Sequence, residues 1–392
     1  MDKEETENLV KISLGPQWAP FDVYVATMVI YSLIMLFGLV GNGFVIMASV
    51  MHGNQMSICE WYLLSLAVSD LVLLALGLPF ELRDASATWY PYPYPEFVCP
   101  GRAFLNEMTN SVSALTLAAF AIQRFIAICH PLRARSCTNP IRRTVCVIAV
   151  VWAAGFLVAS PCLFLIRINY LWGVDGEAPI LLDISDQHNQ SDAYIDFGND
   201  NASYAFFLGS EYCYFDETRP GVSTVYVHFS FWVSFLIPLL LIFVLHVRIV
   251  ASIRRSSHTL HASNTGGHRQ IMKRKSAINM SIAVAASFFI CWFPFHLQRL
   301  MAVHSRPGSE DSQVQSLASM LFFMTGYLYY GNTAVNPILY TLLTERMRQT
   351  LVRMARGLRG NKPMRTHSVS SSVIPLSTYL QRSAPSPDAG YM

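Results

Sequence analysis

Charge is scarce in this chain: only 14% of its 392 residues are Asp, Glu, Lys or Arg, while 53% are hydrophobic. So low a charged fraction excludes a disordered chain and an ordinary solvated surface, and it points to a membrane protein. Catalytic signatures are missing as well. No Cys-x-x-Cys pair, His-Glu-x-x-His helix, phosphate loop or nucleophile elbow occurs in a usable context. Metal catalysis, nucleotide hydrolysis and acyl transfer therefore find no support, and no enzyme is expected. Nor is there an internal repeat of the kind that marks many transporters. The opening MDKEETENLVKISLG lacks the positive n-region and short apolar core of a cleavable signal, so the first span is expected to act as its own signal.

What is present is a set of seven apolar segments. Crossing a hydrocarbon core of about 30 Å takes about 20 mostly apolar residues as helix, because every backbone N–H and C=O must be satisfied within the segment. The segments are placed at 23–50, 60–82, 103–129, 143–166, 222–251, 276–303 and 312–343. The fold class expected is an all-α membrane protein: a short N-terminus (1–22), a seven-helix transmembrane bundle (23–343), an amphipathic eighth helix (344–360) and a disordered tail (361–392). Arg133, Arg135, Arg142 and Arg143 flank one short loop, Arg248, Arg254, Arg255, Arg269, Lys273, Arg274 and Lys275 another, and further arginines follow the seventh segment. That face is expected to be cytoplasmic, with the N-terminus extracellular.

The long loop 167–221 carries the opposite sign. Ten acids fall between Arg167 and Arg219 with no Lys or Arg among them, from Asp175 and Glu177 to Glu211, Asp216 and Glu217. Such a mouth would speed the arrival of a cationic ligand; a solvated loop with no such role has the same composition. The sequons at Asn189 and Asn201 lie in this loop, where glycosylation agrees with the charge-based topology. A third match at Asn279 lies in a span and is taken as chance. Of eight cysteines, only Cys99 and Cys213 lie on that outer side, and a disulfide between them is expected to staple the loop over the third span as a lid.

Ionisable residues inside a span are costly and mark function. Asp70 sits mid-membrane in the second span, and Ser113, Asn332 and Asn336 could supply oxygens around it. The set suits a sodium ion or a water network, or plain interhelical hydrogen bonding; no other cofactor is expected.

These residues belong to a wider pattern: GNGFV with Asn42, LAVSDL with Asp70, Cys99 with Arg124 twenty-five positions on, Trp152, FLIP with Pro238, FFICWFPF with Phe288, Trp292 and Pro294, and NPILY with Asn336, Pro337 and Tyr340. In this the chain resembles the rhodopsin-like G-protein-coupled receptors. The resemblance implies that ligand contact is relayed through Trp292 and Phe288, that helices bent at Pro238, Pro294 and Pro337 swing, and that an inner cleft opens for a G protein. The relatives' small branched residue packed against Pro238 and Phe288 is Ala114 here, so a looser contact is expected. Leu132, after Pro131, matches the apolar knob that relatives insert into the G protein.

Two positions depart from that pattern. Relatives place an acid before the arginine, and here it is Gln123, which can hydrogen-bond Arg124 but cannot neutralise it. The matching position of the sixth span is Arg274, which is no acid either. Raised basal activity is expected. The tyrosine of the fifth span that usually meets the arginine after activation is His246, which would weaken the active state or make it pH-sensitive.

For the ligand, the position where amine receptors carry an aspartate is Asn106, which disfavours amines. Glu81 in LPFEL, Glu107 and Arg299 are the residues expected to bind a peptide's basic side chain and polar C-terminal end, with Phe295 and Trp292 as apolar lining; alternatively the charged three pair among themselves and hold the pocket together. LPFEL, Glu107 and Arg299 together resemble neuromedin U, pyrokinin and capa receptors. That implies a basic C-terminally amidated neuropeptide, coupling to the Gq class and calcium release at the plasma membrane. A non-amidated peptide, as for neurotensin or ghrelin receptors, or a constitutively active or decoy receptor, remains the alternative.

Leu342, Leu343, Met347, Leu351 and Met354 fall at helical spacing among arginines, so the eighth helix is expected to lie on membrane lipids. Thr366, Ser368, Ser370, Ser371 and Ser372 in the tail are expected phosphorylation sites for arrestin recruitment. No nucleic-acid partner is expected.

Overall fold

The computed structural model describes residues 20–86, 90–135, 138–174, 180–182, 194–195, 204–206, 210–216, 218–260, 266–304, 312–343 and 345–358. The sequons at Asn189 and Asn201, most of the loop's acids and the tail sites from Thr366 to Ser372 lie outside those residues, as do the side chains of Arg274 and Tyr340.

Among the described residues seven long helices form an all-α bundle. We label them α1 (Phe21–His52), α2 (Ile58–Ser86), α3 (Val98–Cys129), α4 (Pro140–Ala159), α5 (Pro220–Leu260), α6 (Gly266–His304) and α7 (Ser312–Leu343). A further helix, α8, is Glu345–Leu358. Each boundary has a local cause. Gly53 takes φ 48° after α1, a left-handed conformation open to glycine, and its N–H returns to the last carbonyls of the helix. Ser57 and Glu60 form a reciprocal capping box that starts α2. Proline stands at the first position of α4 and of α5, where its missing N–H costs nothing.

The bundle is polar inside and apolar outside, the inverse of a water-soluble core. Asn42, Asp70, Asn110, Ser113, Asn332 and Asn336 are all buried, whereas Val40, Val150, Leu157 and Val225 stand more than half exposed on its perimeter. That distribution fits a hydrocarbon solvent, in which polar groups find partners only inside the bundle. Asn42 ties α1 to α7 by donating to the carbonyls of Gly38 and Thr333, both at 2.9 Å. Trp152 Nε1 donates to Ser65 Oγ at 3.0 Å, joining α4 to α2. Small residues set the closest approaches: a Cβ on Gly41 would lie 2.6 Å from Pro337, and one on Gly155 2.6 Å from Val112.

Helix α5 is not uniform. Residues Phe231–Leu236 form a π-helical turn directly before Pro238, and the N–H of Ile237 returns to Trp232 O. A widened turn accommodates a proline that removes a donor from the ladder. Pro294 and Pro337 sit inside α6 and α7.

The loop between α4 and α5 holds more order than its composition implies. β1 (Ile166–Val174) pairs antiparallel with β2 (Ile180–Leu182), with β4 (Tyr204–Phe206) and with β5 (Tyr212–Phe215), while β3 (Tyr194–Ile195) pairs with β4. In the β1–β5 ladder Cys213 lies opposite Ile168, and Cys213 is bonded to Cys99 at the start of α3. The sheet is thereby fixed to that end of the bundle. Tyr92 N–H donates to Glu211 O at 2.8 Å, linking the α2–α3 connection to the same strand region.

Candidate functional site

Beneath the sheet lies a cavity of about 250 Å³ lined by α3, α6, α7 and β5, including Asn106, Glu107, Tyr214, Phe295, Gln298 and Arg299. Glu107 and Arg299 are its charged core. Arg299 Nη1 donates to Glu107 Oε2 at 2.7 Å, and the other carboxylate oxygen accepts from the hydroxyls of Ser230 and, at 3.2 Å, Ser234. Both carboxylate oxygens are therefore satisfied, as a buried charge requires. Arg299 also faces the rings of Phe295, at 5.7 Å, and Phe215, at 6.0 Å.

The alternative in which Glu81, Glu107 and Arg299 pair among themselves holds for the last two only. Glu81 does not join that pair; it has an arginine of its own. Arg102, three residues past Cys99, donates to Glu81 Oε1 at 3.2 Å and to Asp84 Oδ2 at 2.8 Å. Tyr330 OH also donates to Glu81, at 3.4 Å. Sequence reasoning missed Arg102, Asp84, Ser230 and Ser234. The available signal was the spacing of Glu81 and Asp84, three apart on one helical face, which calls for a cation on a neighbouring helix.

The two ionic centres meet through aromatic rings. Tyr329 and Tyr330, adjacent on α7, pack edge to face with centroids 5.0 Å apart. Tyr329 donates to Asn106 O at 3.0 Å, stacks on Phe295 at 4.6 Å and approaches Trp292 at 5.8 Å. Trp292 lies 4.9 Å from Phe288, and Phe288 lies 6.0 Å from Phe235 of the π turn. His296, also buried, stacks on Phe235 at 4.9 Å. A displacement at the cavity thus has a packed route to the π turn of α5 and the proline-bearing stretch of α6. Ala114 is fully buried on α3.

Deeper in the bundle Asn336 Nδ2 donates to Asp70 Oδ2 at 3.0 Å. Ser113 bonds Ser69 at 3.0 Å rather than Asp70. Asn332 Oδ1 and both polar atoms of the Asn110 side chain are buried without a partner. A buried carboxylate with one amide donor, in an interior that also leaves an amide oxygen unclaimed at Asn332, has the chemistry to take a small hard cation or waters. Among the described residues no cluster of three His, Cys, Asp or Glu side chains forms a metal site.

At the end of the bundle away from the disulfide, no carboxylate among the described residues pairs with Arg124. Its Cζ lies 5.0 Å from the centre of the Phe120 ring, and among the described residues its Nε has no hydrogen-bond partner. Gln123 Oε1 is likewise buried without a partner. His246 Nδ1 bonds the carbonyl of Ile242 at 2.7 Å, while Nε2 has no partner among the described residues and lies beside a groove of about 660 Å³ between α5 and α6. Leu132 is 81% exposed on the short helix Pro131–Arg135.

Residues 41–171 and 197–340 match the 7 transmembrane receptor (rhodopsin family). The chain belongs to this family. The receptor is 32% identical to the neuromedin U receptor homolog nmur-2 of Caenorhabditis elegans over 90% of its own length and 85% of that protein. It is 27% identical to the pyrokinin-1 receptor of Drosophila melanogaster, over 89% and 84% of the two chains. With the neurotensin receptor type 1 of Mus musculus it shares 26% identity, over 84% and 76%. The family is one of multi-pass membrane receptors rather than enzymes, in keeping with the bundle and its apolar perimeter.

Proposed function

We propose that this receptor recognises a basic, C-terminally amidated neuropeptide at the plasma membrane, with its N-terminus outside, and couples through Gq-class G proteins to calcium release. The observation that carries the reading is the pair Glu81 and Asp84 at the disulfide-bearing end of the bundle, whose side chains keep 25% and 27% exposure. Two carboxylates at a partly open mouth attract and hold a guanidinium or ammonium group. The named ligands of the relatives, neuromedin U and pyrokinin, support a peptide. The Glu107–Arg299 pair fixes α3 against α6 beside the cavity and offers Arg299 to the peptide's polar C-terminal end. Asn106 and Phe295 line the cavity, Trp292 lies behind them against Tyr329, and movement of Trp292 against Phe288 passes the binding event to α6.

In the same reading Asp70, Ser113, Asn332 and Asn336 hold a sodium ion or waters in the resting state, Asn189 and Asn201 carry glycans, and phosphorylation from Thr366 to Ser372 recruits arrestin. A second reading, raised basal activity, is favoured by Arg124 meeting no carboxylate among the described residues. The test is calcium and inositol phosphate release in cells expressing the receptor, without ligand and with a panel of amidated arginine-containing peptides. A peptide-dependent rise is expected; silence throughout, with the receptor present at the surface, would sink the proposal.

A further inference from the structure

Arg102 has a role that the peptide reading alone does not supply. Its guanidinium donates to Asp84 and Glu81 and lies against two ring faces, 5.0 Å from the centre of Phe80 and 5.8 Å from that of Tyr94. Tyr94 OH donates to Asp84 Oδ1 at 2.9 Å, and Phe80 and Tyr94 pack edge to face at 5.2 Å. Burial, together with the Asp84 carboxylate, pushes the Tyr94 phenol up to about 12, so this donor stays protonated across the physiological range. Arg83 stacks on Tyr94 as well, at 4.9 Å.

Two carboxylates and two ring faces around one planar cation are what recognition of an arginine side chain requires. The occupant here is the chain's own. Arg102 is 16% exposed, less than either acid it contacts, and it sits one turn from Cys99, whose backbone the disulfide anchors. Only the side chain needs to leave for the cage to open, and the tether keeps its effective concentration high.

We propose that Phe80, Glu81, Asp84 and Tyr94 form the guanidinium subsite of the ligand site, occupied by Arg102 in the ligand-free receptor, and that an arginine of the peptide displaces it. The proposal rests on the peptide reading for the identity of the incoming group. Exchange of one guanidinium for another changes few contacts within the cage, so the displaced Arg102 weakens apparent affinity without abolishing it. It also unfastens α3 from α2, because Arg102 is their ionic link at this end.

Two arms test this. In the first, full-length receptor in lipid nanodiscs is melted with millimolar ethylguanidinium, or with potassium at equal ionic strength. Ethylguanidinium is expected to raise the melting temperature of Arg102→Ala by several degrees, and to leave wild type and the Arg102→Ala, Asp84→Asn double variant unmoved. Absence of that rescue in a folded Arg102→Ala receptor overturns the subsite. In the second arm, binding is compared for arginine peptides from the panel and their citrulline counterparts. Arg102→Ala is expected to tighten the arginine peptide about tenfold and leave the citrulline form unchanged, with Arg102→Lys between. A weaker arginine peptide in Arg102→Ala overturns the displacement. Rescue with no peptide binding to either receptor would keep the cage and reject the peptide reading.

Discussion

Arg299 Nη1 and Glu107 Oε2 meet at 2.7 Å across 192 positions of sequence, and their pairing places a charge from α6 against one from α3 beside the ligand cavity. Removing one partner of such a pair leaves the other uncompensated, at about 3–5 kcal/mol for a buried case. Glu107→Gln is therefore expected to lower the melting temperature of the purified receptor and its surface level, and Arg299→Met to do the same. The double variant should be more stable than the sum of the two losses implies, because no charge is stranded. Additive losses in a double-mutant cycle would argue against a coupled pair.

Arg124 faces the ring of Phe120 and has no carboxylate among the described residues. A charged hydrogen bond exceeds a neutral one by about 1 kcal/mol, equal to about fivefold in population. Gln123→Glu is accordingly expected to lower ligand-free inositol phosphate accumulation severalfold at matched surface expression, without loss of the agonist maximum. Unchanged basal signal would mean that Arg124 is restrained by something else.

The bond between Cys99 and Cys213 holds the β1–β5 ladder to the top of α3. Loss of a disulfide in a folded domain costs about 2–5 kcal/mol. Cys99→Ser and Cys213→Ser are each expected to abolish peptide binding, and the double variant to be no worse than either. Mild reduction of intact cells should reproduce the loss.

Sodium sensitivity checks the interior polar set. Replacement of an inert organic cation by sodium at constant ionic strength is expected to weaken agonist binding in wild type and to have no effect in Asp70→Asn. The charge that would hold the ion is gone in that variant, while the bond from Asn336 can persist. Equal responses would assign Asp70 and Asn336 to hydrogen bonding alone.

The helices were legible because each needs a long apolar run; their ends, set locally by Gly53, Ser57, Pro140 and Pro220, emerge only from the structure. Glu107 and Arg299 stood out as charges in apolar segments. Arg102 did not, because it lies in the outermost turn of α3, where a cation is cheap, and its partners come from another helix. The sheet over the cavity was hidden for a similar reason: its pairing joins β1 to β4 and β5 across a polar, acidic stretch with no alternating pattern to announce it. Asp216, read as one of the acids of the mouth, is instead buried beside Arg167 and Arg219, at 3.8 and 3.9 Å.

The most direct measurement is the dose–response of calcium release to one active arginine peptide amide against the same peptide with citrulline in place of arginine. Citrulline keeps the shape and removes the charge, and a charged hydrogen bond to carboxylate contributes about 1.5–3 kcal/mol, or roughly 10- to 150-fold. A rightward shift of that size, much reduced in Glu81→Gln, is the expected result. Equal potency of the two peptides would contradict a pocket that reads a guanidinium through Glu81 and Asp84.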